Sequence, residues 1–284
     1  MGDSCCNKDS MGYITELITN ELPGAFVHSV SIGDTEEDDR NAGFFGIVFD
    51  QIAQACTQIK NIALLRDGFN AVGFSQGGQF LRAYAETCAD GPKIYNLVTY
   101  GSQHMGVADA PNCENKGDAS CYLMRSILRN GAYLGWVQNR VVQAQYFKDP
   151  LNYELYLAKS LFLAHINNEI AASRNASYKE AIKTLNKLVL IKFGDEATVV
   201  PAESSWFGYY DDERKSIVEM ENQALYIEDW IGIRWLNENG RLERITQDGG
   251  HMQIDEEFFK NEIIPKYLAN AIITEEDESS LVKQ

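Results

Sequence analysis

The chemistry of this 284-residue chain gathers around one serine. Gly73-Phe74-Ser75-Gln76-Gly77 is a G-x-S-x-G that follows the apolar run Phe69-Asn70-Ala71-Val72 and precedes a helical pattern from Gln79 to Glu86. A serine hydroxyl attacks a carbonyl carbon only if a tight turn presents it, with neighbouring backbone N–H groups facing the developing oxyanion. Small residues make such a turn possible, and the motif assigns that task to Gly73 and Gly77. A glycine-rich packing turn would look similar. The strand before Ser75 and the helix after it favour the nucleophile.

An activated serine needs a base, and the chain offers His28, His104, His165 and His251. In strand–turn–helix hydrolases the order is Ser, then Asp or Glu, then His. His28 precedes Ser75 and lies in a strand-like run. His104 has no strand-end acid between itself and Ser75, and His165 falls in an amphipathic helical pattern. His251 remains, in the loop Asp248-Gly249-Gly250-His251, where the glycines let an imidazole swing over the serine. The acid belongs at the end of the preceding strand, where its carboxylate fixes the imidazole tautomer. The run Leu188 to Phe193 ends at Gly194-Asp195-Glu196, so Asp195 and Glu196 both qualify. Asp229 is weaker, because no strand delivers it to the same edge.

The elements that must position these residues read as an α/β fold. Strand-like runs occur at Phe26 to Ile32, Phe69 to Phe74, Tyr95 to Tyr100, Leu188 to Phe193 and Leu242 to Thr246, with helical patterns between most of them. That alternation indicates a mainly parallel sheet covered by helices. About residues 101 to 187 the pattern turns to loops and consecutive helices, including an amphipathic stretch from Tyr153 to Ile170, which reads as an inserted helical cap. Residues 1–273 then form a single domain, and Thr274 to Gln284 an acidic disordered tail.

Bulk properties narrow the partners. Lys and Arg number 25 against 41 Asp and Glu, a formal charge of −16, which disfavours nucleic acid. No apolar run approaches the roughly 18 to 20 residues of a membrane-spanning helix, so no transmembrane segment is expected. The six cysteines, Cys5, Cys6, Cys56, Cys88, Cys113 and Cys121, lack metal-site spacings and read as disulfides of open pairing. Asn175-Ala176-Ser177 is an N-glycosylation sequon. No metal or cofactor is expected.

Taken together, Met1-Gly2-Asp3-Ser4-Cys5-Cys6-Asn7, Gly73 through Arg82, Trp206-Phe207-Gly208 and Gly250-His251 resemble the palmitoyl-protein thioesterases, from Met1 to about Leu268. The resemblance implies an α/β-hydrolase fold and cofactor-free hydrolysis of the thioester joining a long fatty acyl group to cysteine. The implied substrates are S-palmitoylated proteins or peptides and other fatty acyl thioesters, and the implied compartment is the lysosome. It also implies the pairs Cys5–Cys6, Cys56–Cys88 and Cys113–Cys121, glycosylation at Asn175, and an oxyanion hole from the N–H groups of Met1 and Gln76.

Two departures stand out. An ungapped match places Glu196, not an aspartate, at the family's acid, so Glu196 is preferred to Asp195. Met1 falls inside the family's oxyanion loop, and no signal peptide opens the chain. The family's preceding strand, which would lie between Phe26 to Ile32 and the strand ending at Ser75, is expected to be missing, and the natural chain to begin further upstream. Two other functions share these residues: a lipid oxygen-ester hydrolase, and a catalytically impaired lipid-binding homologue.

Overall fold

The computed structural model describes residues 3–109 and 131–269. Four strands, β1 (Phe69–Phe74), β2 (Ile94–Tyr100), β3 (Lys187–Asp195) and β6 (Leu242–Gly250), pair in parallel in that order. Two short strands, β4 (Tyr209–Tyr210) and β5 (Ile217–Val218), form a separate antiparallel pair. A parallel sheet is buried on both faces, so its strands read as continuous apolar runs. Side chains nonetheless alternate between faces. Leu97, Leu188 and Leu190 join a core that includes residues of α3 (Val48–Lys60) and α4 (Gln76–Thr87). Val98, Tyr100, Val189, Ile191 and Phe193 join a second core with Ile14, Leu17 and Ile18 of α1 (Met11–Glu21) and with Phe259, Ile263 and Ile264 of the segment Phe259–Leu268.

The run from Phe26 to Ile32 is not a strand. It is irregular backbone with no ladder partner among the described residues, and Phe26 is exposed. A strand exists only through its neighbours, and this run and β1 instead line a common cavity of about 1280 Å³. The amphipathic stretch from Tyr153 to Ile170 is divided between two helices. Helix Tyr153–Lys159 ends where Ser160 turns extended, and a short helix Leu163–Ile166 follows. Ser160 Oγ accepts from Ala164 N at 3.2 Å, a local bond that competes with helix continuation. Residues 131–186 carry helical turns and loops without a ladder strand. The rest of the expected cap, 110–130, and the tail lie outside the described residues.

A buried ion pair fixes α4 behind the serine. Arg82 and Glu86 have no side-chain exposure and are 2.8 Å apart. Arg82 also donates to Asn167 Oδ1 at 2.7 Å and to the carbonyls of His104 and Ile166, both at 3.3 Å. The helix is thereby tied to the loop after β2 and to Ile166–Asn167. Phe207 lies 5.4 Å from the guanidinium and stacks on His104 at 4.8 Å. Trp206 donates its indole N–H to Leu190 O. The Trp206-Phe207-Gly208 motif therefore does structural work.

Burial pushes the Glu86 carboxyl up from its ordinary 4.5 to about 7, against the lowering pull of Arg82. A raised folded value means that the folded state binds this proton more tightly. The associated stability is full below pH 4.5 and lost as pH rises through about 7. The melting temperature of the native chain should fall over that window relative to Glu86→Gln, which removes the titration and keeps the size. Parallel curves of melting temperature against pH for the two proteins would refute this.

Candidate active site

Ser75 stands between the last residue of β1 and the first of α4, with φ 50° and ψ −121°. That backbone is strained for a residue with a Cβ and needs support on all sides. Ser75 N donates to Tyr100 O at 2.7 Å, and Gly78 N donates to Ser75 O at 3.2 Å. A Cβ on Gly73 would stand 2.5 Å from Gly78 Cα, and one on Gly78 would meet Ser102 Oγ at 2.1 Å and Thr99 Cβ at 2.8 Å. A Cβ on Gly77 would meet nothing within 4 Å. The glycines that the elbow requires are therefore Gly73 and Gly78, a correction to the assignment of Gly77. The Gly77-Gly78 doublet was the available signal.

His251 follows Gly250 at the end of β6 and is 15 % exposed at its side chain. Its Nε2 lies 2.9 Å from Ser75 Oγ, and its Nδ1 lies 2.6 Å from Glu196 Oε2. An ionised carboxylate only accepts, so Nδ1 donates to Glu196, and Nε2 is left to accept from the serine hydroxyl. Glu196 has a fully buried side chain, and its other oxygen accepts from Thr198 N at 2.8 Å and Val199 N at 3.0 Å. Both carboxylate oxygens are thus fixed. Gly101, at φ 55°, makes room for the imidazole, because a Cβ there would approach His251 Nδ1 to 3.2 Å and the Phe193 ring to 2.8 Å.

Asp195 pairs with Gly250 after an irregularity in the β3–β6 register and is exposed. It makes no hydrogen bond to His251, which Glu196 engages instead. His28 bonds Gln58 from the irregular run 26–32, His104 is buried against Thr99 and Phe207, and half-buried His165 packs near Phe49. Burial lowers the pKa of both His104 and His165. Asp229 is bound by Lys179 at 2.8 Å and by Arg234 N at 3.0 Å, and has no part in the Ser75 cluster.

Ser75, Gln76 and His251 line the 1280 Å³ cavity, together with apolar side chains such as Phe26, Val30 and Ile14. Gln76 is the first residue of α4, where backbone amides lack an intrahelical acceptor. Its side-chain carbonyl accepts from Tyr146 Oη at 3.4 Å, a contact that no sequence pattern marked. Cys5–Cys6 and Cys56–Cys88 are bonded. Met1, Cys113 and Cys121 lie outside the described residues. Asn175 is exposed and caps helix Ala176–Lys183, its Oδ1 accepting from Ser177 N.

A parallel sheet flanked by helices, with a serine elbow after β1 and facing loops after β3 and β6, defines an α/β-hydrolase. Residues 1–251 match the description of the palmitoyl protein thioesterases. The chain is 45% identical over 268 residues to palmitoyl-protein thioesterase 1 of Caenorhabditis elegans, covering 94% of this chain and 89% of that one. It is 31% identical over 269 residues to palmitoyl-protein thioesterase 3 of Dictyostelium discoideum, covering 93% and 89%. With lysosomal thioesterase PPT2 of Bos taurus it shares 29% over 250 residues, covering 84% and 75%. The chain belongs to the palmitoyl protein thioesterase family.

The elbow geometry separates two substitutions that the motif alone treats alike. Gly73→Ala forces a methyl group into the backbone of α4 and should destabilise by about 3 kcal/mol or prevent folding. Gly77→Ala meets open space and should stay within about 0.5 kcal/mol of the native chain. Denaturant unfolding of the two variants is the check; equal losses would contradict the contact.

Proposed function

We propose that this chain is a thioesterase that removes long fatty acyl groups from cysteines of proteins or peptides, with Ser75, His251 and Glu196 as its catalytic triad. The observation that carries the reading is the pair of hydrogen bonds of His251, 2.6 Å to Glu196 and 2.9 Å to Ser75. His251 takes the proton of Ser75 as Oγ forms its bond to the thioester carbonyl carbon. The carbonyl oxygen becomes an oxyanion and accepts from the N–H of Gln76. Collapse breaks the C–S bond, and the cysteine sulfur leaves with the proton from His251. Water, deprotonated by the same imidazole, then attacks the acyl-serine carbonyl, the C–Oγ bond breaks, and the imidazolium returns the proton to Ser75 Oγ as the fatty acid leaves. Glu196 holds the imidazole tautomer and balances the imidazolium charge throughout.

Apolar side chains such as Ile14, Val30 and Phe80 line the cavity beside Ser75, so an acyl chain attached at the serine has apolar surface to lie against. Tyr133, Trp136 and Phe162 are not among its lining residues, although a groove against the cap would use them. Phe162 is buried against Phe49, and the Tyr133 hydroxyl is engaged with Phe147 O and Asp149 N. The names of its relatives and the two disulfides favour a lysosomal compartment, with a glycan on exposed Asn175. Among the described residues no helix is long and apolar enough to cross a membrane.

Paired isosteric variants test the acid. Glu196→Gln should lower kcat for a palmitoyl thioester by about 10⁴, because an amide favours the wrong imidazole tautomer. Asp195→Asn should stay within about threefold of the native rate, as expected of an exposed residue outside the relay. The reverse ranking would move the acid to Asp195.

A further inference from the structure

The described surface carries several of its large exposed apolar side chains in one place. Phe45 is 62% exposed, Trp136 66% and Leu134 49%, with Phe44 at 37%. They come from two stretches far apart in sequence that the backbone joins. Gly46 N donates to Arg140 O at 2.9 Å, Val142 N donates to Phe44 O at 3.0 Å, and Phe45 bridges Val141 antiparallel. The side-chain amides of Gln143 and Gln145 donate to the carbonyls of Gly43 and Gly46. The patch is therefore built on fixed backbone. Helix Gly135–Gln138 buries Val137 and Gln138 and turns Trp136 to solvent.

Its position relates it to the site. Ala42 and Gly43, immediately before Phe44, line the cavity that holds Ser75, so the Phe44–Phe45 end of the patch adjoins that cavity in the chain. Tryptophan and phenylalanine grouped on a surface are the side chains that settle at the boundary between headgroups and acyl chains. The charge says which lipid. The chain carries −16, and helix Glu36–Ala42, which leads into the patch, opens with Glu36, Glu37, Asp38 and Asp39. Those acids repel an anionic surface and tolerate a zwitterionic one. Four side chains fall well short of the roughly 20 residues a side that a stable protein dimer requires.

We propose that Phe44, Phe45, Leu134 and Trp136 form a docking surface for a zwitterionic lipid bilayer, which sets the mouth of the catalytic cavity against the membrane that retains the acyl chain. The inference rests on the acyl-thioesterase reading for its purpose, because a long acyl chain on a cysteine stays dissolved in a bilayer until something extracts it. Insertion of the aromatic side chains keeps the cavity beside that reservoir. Arg140, exposed in the second stretch, adds one cation beside the patch.

The test sediments the full chain with phosphatidylcholine vesicles and compares it with the double variant Phe45→Ser/Trp136→Ser. Partitioning of the variant should fall by about tenfold or more, as expected when two large apolar side chains lose their burial. Its hydrolysis of a short, water-soluble acyl thioester should be unchanged, which also reports that it has folded. If the double variant does not fold, quenching of tryptophan emission by bromine-labelled phosphatidylcholine gives a second measurement. That quenching should be reduced in Trp136→Phe. The proposal is overturned if the native chain fails to sediment, if the variants bind and quench as it does, or if binding needs phosphatidylserine. A shift from dimer to monomer in the double variant, with vesicle binding intact, would make the patch a self-association surface and overturn it as well. Ser75→Ala should bind vesicles normally. Vesicle binding without any thioester turnover by the native chain would contradict the proposed function and leave the docking surface standing.

Discussion

The backbone of Ser75 is the constraint on which the rest depends. A serine at φ 50° and ψ −121° is held there only because the ends of β1 and α4 approach each other through two residues that lack a Cβ, Gly73 and Gly78. The same approach packs Gly78 against Thr99 and Ser102 at the end of β2. The strained turn, the β1–β2 pairing and the first turn of α4 are therefore one packing unit. Arg82 and Glu86 anchor α4 one turn further on, using buried hydrogen bonds that would be expensive to leave unmade. The Ser75 hydroxyl is presented by packed secondary structure.

The relay opposite Ser75 follows the same logic. Glu196 is fixed by two amides from its own loop, and a carboxylate with one oxygen fully engaged has a single direction left for the other. That direction is His251 Nδ1. Gly101 and Phe193 then set the wall against which the imidazole lies. Three strand ends, those of β1, β3 and β6, thus converge on one serine hydroxyl, as the crevice beyond the carboxyl ends of parallel strands allows.

Much of this was legible in the residues themselves. The G-x-S-x-G motif between a strand run and a helical run marked Ser75, and the rarity of histidine left His251. The α/β alternation marked four strands close to their observed limits. The choice between Asp195 and Glu196 was harder, since a register irregularity after Phe193 decides which carboxylate turns inward, and side-chain pattern does not encode it. The run from Phe26 to Ile32 has the composition of a strand but no partner, because pairing is a tertiary property. The amphipathic period from Tyr153 to Ile170 ran through Ser160, whose local hydrogen bond ends the helix.

The proposed mechanism requires a covalent bond between the acyl group and Ser75. The most direct measurement mixes the native chain with a palmitoyl thioester, quenches with acid within the first turnover and locates the acyl group by mass spectrometry of the digested protein. A palmitoyl ester is expected on Ser75, absent when His251 is replaced by alanine. Turnover that leaves Ser75 unmodified at every quench time, or an acyl group carried by another side chain, would contradict it.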